Sequence, residues 1–192
     1  MANGPAYLEA FKAYTRVQYG DEEQTAEALA DLSKESDRGA VILAATGLED
    51  MLENTIGVRM TALQTDAAAR TGMFGATGIC GTFAAKILMA YALGIIDKDI
   101  RKTLDLVREI RYGCAHGRLP LSFDREELST ICKVVIGAEF LAQLKDQEPN
   151  TIRAAFIIST ANLGYSIALG RRVGPEEGFR MASAGVGRGE RS

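Results

Sequence analysis

The chain is short of histidine, of cysteine and of uncharged apolar runs, and each shortage narrows what it can do. His116 is the single histidine among 192 residues. Acid–base chemistry that needs two imidazoles would therefore need two chains. The three cysteines, Cys80, Cys114 and Cys132, are odd in number and show no C-x-x-C spacing. That argues against zinc and against a disulfide framework, and fits a reducing cytoplasm in which the thiols fill core space. No window reaches about 18 uncharged apolar residues, so no membrane span is expected. The opening "MANGPAYLEAFKAY" lacks the basic-then-apolar order of a secretory signal. Positive charge is not in excess either: 22 Lys and Arg stand against 25 Asp and Glu, for a formal net charge of −3. Phosphate neutralisation supplies much of the affinity for duplex DNA, so autonomous DNA binding is not expected from an acidic chain.

What is present is a globular composition, 47% apolar and 24% charged, organised as helix after helix. Helices are expected over Pro5–Val17 and over Asp21–Ser33, the second opening on "DEE". A third starts at "ESDRGAVILAATGLEDMLENTIG", with Ser36 or Asp37 as its N-cap, and is apolar nearly all round from Ala40 to Ala45. Such a helix belongs at the centre of a bundle. A broken region is expected from Gly57 to Gly81. Beyond it come "TFAAKILMAYALGI", capped by Thr82, and "DKDIRKTLDLVREIRYG", capped by Asp97, with Ile100, Leu104, Val107 and Ile110 on one stripe. "HGRLPLSF" reads as a loop. A sixth helix is expected from an Asp124 cap to about Leu144, and a seventh over Thr151–Leu169 after the Pro149 break. Alternating segments and internal repeats are absent. The expectation is an all-α, compact bundle of about seven helices: one domain over residues 1–172, then a disordered Gly-rich tail over 173–192.

Chemistry has few places to reside. "GATGICG" (Gly75–Gly81) has neither the GxxxxGK[ST] of a phosphate loop nor the GxGxxG of a dinucleotide site, and reads as a turn. Arg38, Ile42, Ala45 and Glu49 share one face of the third helix, with a charge at each end. Lys86, on the face of Phe83 and Ala90, is the natural partner for Glu49. Together these charges form either an ion pair that locks two helices or a polar binding pocket. Neither a metal site nor a cofactor is expected.

The remaining candidate is "REIRYGCAHGRLP". Arg111 and His116 are five residues apart, about 140° around a continuous helix, and would diverge. Gly113 offers a point at which the helix could end, which would let the imidazole fold back toward Arg111. An arginine for phosphate and a histidine for proton transfer make a workable pair for cutting RNA. A histidine that simply fixes a loop is the other reading.

The segment "GICGTFAAKILMAYALGIIDKDIRKTLDLVREIRYGCAHGRLPLSFDREEL", with "ESDRGAVILAATGLEDMLENTI" before it, resembles the mannitol operon repressor family over about Ser36–Leu128. The features that carry it are "AAKI", "YALGII" before an acidic helix start, an Arg-x4-His element and "FDREEL". The resemblance implies a helical regulatory protein without a DNA-reading helix-turn-helix, in the cytoplasm, acting through an unidentified protein partner or a small ligand. "IRYGCAHG" is also similar to the Arg-x4-6-His element of HEPN domains, which implies as an alternative a metal-independent endoribonuclease or RNA-binding module using Arg111 and His116. Tyr112 departs from that pattern, where a polar residue usually follows the arginine. Whether the chain is an enzyme stays open here, with a non-enzymatic role favoured. The apolar runs "ICKVVIGAEFLAQL" and "AAFIISTANLGYSIAL" exceed what one buried face uses, and raise the expectation of a homodimer.

Overall fold

The computed structural model describes Leu32 and residues 34–170. Within them the chain is all-helical, with eight helices and no strand. They are α1 (Asp37–Arg59), α2 (Ala62–Thr65), α3 (Ala67–Phe74), α4 (Phe83–Ala92), α5 (Lys98–His116), α6 (Glu126–Ile136), α7 (Ala138–Leu141) and α8 (Pro149–Leu169). The expected helices over Pro5–Val17 and Asp21–Ser33, Leu32 apart, and the expected tail over 173–192 lie outside the described residues.

Local chemistry starts the main helices. Ser36 Oγ accepts from Gly39 N at 3.1 Å, Thr82 Oγ1 from Ala85 N at 3.2 Å, and Asp97 Oδ1 from Ile100 N at 2.8 Å. Each side chain satisfies an amide that the first turn leaves without an intrahelical acceptor, worth about 1 kcal/mol. Pro149 occupies the first turn of α8, where its missing N–H costs nothing.

Tertiary packing then makes a ring. α1 packs on α8 most extensively and on α5; α6 closes the circuit against α8 and α5, and α4 lies across α1 and α5. Arg38 near the start of α1 reaches the loop after α5, whereas Glu49 further along reaches Arg111, so α5 runs antiparallel to α1. Asp37 pairs with Arg153 while Gly164 lies against Met51, so α8 runs parallel to α1. A Cβ on Gly164 would collide with Met51 Sδ, and the bare glycine is what lets the two helices approach. Val41, Leu52, Ile56, Leu104, Val107, Ile152, Phe156 and Ile167 are at most 1% exposed, each contributing about 1.5–3 kcal/mol of transfer free energy.

Three expectations need correction. The stretch from Gly57 to Gly81 is not simply broken: α1 continues to Arg59, and α2 and α3 follow, the latter capped by Asp66. The Gly-rich composition hides α3, whose own N-cap is the signal that could have found it. The sixth helix is not capped by Asp124 and does not reach Leu144. Arg125 is its N-cap, without a side-chain hydrogen bond, and it stops at Gly137, whose φ of 85° an L side chain rarely adopts. Finally, α5 does not end at Gly113 but runs through His116 to a C-cap at Gly117.

Candidate functional site

The charged residues of the sequence pattern meet at the middle of the bundle. Lys86 on α4 donates from Nζ to Glu49 Oε1 at 2.9 Å and lies 2.9 Å from Glu53 Oε2. Arg111 on α5 donates from NH1 to Glu49 Oε2. Arg70 on α3 extends the chain of pairs, with NH2 2.9 Å from Asn54 Oδ1 and 3.6 Å from Glu53. Four helices are thus tied at one node. The side chain of Lys86 is 7% exposed and that of Glu49 is 13% exposed. Burial alone would lower the pKa of Lys86, but the hydrogen bonds to Glu53 and Glu49 outweigh it and hold the ammonium above its ordinary value. Asp50 shows what the node does to a group left outside it. Burial, then the Glu49 charge, raise its carboxyl above the ordinary value.

Arg38 is placed elsewhere. Its guanidinium donates to the carbonyls of Gly117 at 3.0 Å and Leu119 at 2.8 Å, and so holds the chain where it leaves α5. Asp37 accepts from Phe123 N at 2.9 Å in the same loop. The two charges of the α1 face therefore serve different neighbours: Arg38 fixes a loop and Glu49 anchors the ion-pair node.

Arg111 and His116 are not brought together. Because α5 continues past Gly113, Arg111 faces inward to Glu49 while His116 is exposed and stacks obliquely on Tyr112, ring centroids 4.6 Å apart. His116 lies in the last turn of α5, one residue before the Gly117 C-cap.

Glu53, Asn54 and Arg70 belong to the node and escape the sequence reading. Glu53 had a signal, since it follows Glu49 by one helical turn on α1. Arg70 had none, because its placement depends on α3. Gly57 makes room for it, as a Cβ there would strike the guanidinium. Among the described residues no group of three or more His, Cys, Asp or Glu could hold a metal ion. One described helix, α8, is long and apolar enough to cross a membrane, with a mean hydropathy of 1.3 over its best window. It carries one charge, Arg153, which escaped the uncharged-window criterion, and it packs here on α1 and α6 with Ile152, Phe156, Ile157 and Ile167 buried.

No family model, no curated protein and no solved structure matches this chain.

Proposed function

We propose that this chain is a cytoplasmic regulatory protein of the mannitol-repressor type, without a DNA-reading element, that acts through a protein partner or a small ligand. One observation supports a binding role over a catalytic one. The charged positions that carry the resemblance, Lys86 of "AAKI" and the arginine of Arg-x4-His, are both engaged by Glu49 of the earlier helix. A general base or phosphate-binding cation must be available to substrate. Here the acid and the bases neutralise one another and join helices.

The ribonuclease alternative, with Arg111 and His116 as its pair, gains no support from a single chain in which the two residues diverge. It would need a second copy to bring another arginine to His116.

Electrophoretic mobility shift with operator DNA tests the regulatory reading. Purified protein alone is expected to give no specific shift, and a shift is expected on adding the partner recovered from native lysate. Tight specific DNA binding by the protein alone would overturn it. RNA incubated with EDTA tests the alternative: cleavage by wild type that disappears in His116→Ala would replace the regulatory reading with the enzymatic one. A homodimer is part of the proposal, and light scattering at micromolar concentration that returns the monomer mass removes it.

A further inference from the structure

At the end of the bundle away from Arg38, α5 and α8 stand on opposite sides of the ring, each packed on α1 and α6. The gap between them is a cleft of about 210 Å³ lined by Thr103, Val135, Ile136, Phe140, Ser159, Asn162, Leu163 and Ser166. Gly137 shapes it. Its positive φ ends α6 just after Val135 and Ile136, and turns the chain so that Phe140 on α7 forms part of the wall.

Two polar groups in this cleft lack partners. Asn162 is 7% exposed and lines the cleft, and its carboxamide makes no hydrogen bond to another described residue and stays open to what enters the cleft. Ser159 Oγ, one helical turn earlier on the same side of α8, is buried and without a partner. A buried hydroxyl with nothing to bond costs on the order of 1–3 kcal/mol, so Ser159 marks a place where something else supplies the bond. Neither group helps to hold the bundle together, because neither bonds to another helix.

We infer that this cleft binds a small neutral molecule that carries an amide-like donor–acceptor edge on an apolar body. The edge follows from Asn162, whose carboxamide presents one acceptor and two donors side by side, with the Ser159 hydroxyl next to it. The apolar body follows from Val135, Ile136, Phe140 and Leu163. Neutrality follows from the lining, which contains no Lys, Arg, Asp or Glu. A charged ligand would lose its hydration and gain no counter-charge. At the packing density of protein interiors the volume accommodates roughly ten non-hydrogen atoms. That is metabolite size, below the 300–1,000 Å³ typical of drug-sized sites. The inference gives the small-ligand branch of the regulatory reading a location and rests on that reading only for its biological use. The ligand-binding test and the operator test fail independently.

Benzamide, benzoate and toluene share one ring and separate the three requirements. Titrated into the full chain and followed by amide resonances, benzamide is expected to shift residues 135–140 and 159–166. Benzoate and toluene are expected to bind at least about tenfold more weakly, the worth of one or two hydrogen bonds left unmade. Asn162→Leu keeps the volume and removes the edge. It is expected to lose at least about tenfold in benzamide affinity while toluene binding is unchanged. Should Asn162→Leu fail to fold, Ser159→Ala takes its place, with a few-fold loss expected. Absence of shifts at the cleft with millimolar benzamide overturns the inference, because the polar pair then serves water alone. Equal affinity for benzoate, or a variant that binds benzamide as tightly as wild type, overturns it too.

Discussion

Lys86→Met removes the ammonium from the ion-pair node and keeps most of the stem. Breaking one partner out of a fully buried pair costs about 3–5 kcal/mol, because a charge is left in low dielectric without compensation. Two features of the node reduce that figure. Glu49 keeps Arg111, and Glu53, with a side chain 25% exposed, keeps Arg70 at 3.6 Å and some water. A loss of about 2–3 kcal/mol is therefore expected. For a domain of this size each kcal/mol corresponds to about 2–4 °C, so Tm should fall by about 4–12 °C. Thermal and urea unfolding monitored at 222 nm measure it, with an unchanged urea slope showing that the folded state is intact. Glu49→Gln combined with Lys86→Met should cost less than the sum of the two single changes, by about 1–3 kcal/mol, since they share one interaction. The pH dependence carries a sign. Lys86 is held above the ordinary lysine value of 10.5, so its contribution is complete below that pH and is lost as pH rises through the higher folded value. The gap between wild type and Lys86→Met should then be constant from about pH 7 to 10 and close above that. A Tm within 1 °C of wild type, with the double change additive, would refute the reasoning.

Arg38→Ala removes two hydrogen bonds to the Gly117 and Leu119 carbonyls. Stability should fall by about 1–3 kcal/mol in urea, with faster hydrogen exchange across residues 117–123. Asp50→Asn should raise stability at pH 7, because burial and then Glu49 disfavour the ionised carboxyl. That gain should vanish as pH falls below 3.8, where the unfolded carboxyl is protonated too. Cys80, Cys114 and Cys132 are at most 1% exposed, and burial pushes the Cys132 thiol up to about 12. Iodoacetamide at pH 8 should label none of them in the folded protein and all three in urea, as mass spectrometry would show. His116→Ala touches only an exposed ring stacked on Tyr112, so stability should change by less than about 0.5 kcal/mol.

The parts of the fold that a local rule governs were legible in the sequence. Ser36, Thr82 and Asp97 each announce a helix start by a side chain that accepts from its own first turn. The stripe of Leu104, Val107 and Ile110 marks the face that α5 buries. The approach of Lys86 to Glu49 was readable because a lysine and a glutamate on otherwise apolar faces each need a partner. What stayed hidden depends on several elements at once. Gly113 interrupts the helical pattern, but a glycine inside a helix costs only about 1 kcal/mol, and burial of Ile110 and Cys114 on either side outweighs it. That one outcome turns Arg111 and His116 apart. Gly137 was invisible for the opposite reason: it sits inside an unbroken apolar run, and only its φ of 85° shows that the helix cannot pass. The cleft beside it is bounded by α5, α6, α7 and α8, so no short stretch of sequence could disclose it.

The pairing of α1 with α8 has a consequence for how the chain is made. Asp37 at the start of the first described helix is tied to Arg153 at the start of the last, and the Arg153 guanidinium also donates to the carbonyl of Glu35 at 2.6 Å. A chain growing from the ribosome at about 5–20 residues per second completes α1 several seconds before α8 exists. During that interval α1 has α4 and α5 to pack against but not α8, the helix on which it packs most extensively. Closing so long a loop late makes folding slow and all-or-none rather than progressive. Synthesis stopped before Pro149 should therefore yield a species that binds chaperones and is degraded rather than a smaller stable bundle, and release of α8 from the exit tunnel is the step that commits the protein to its native state.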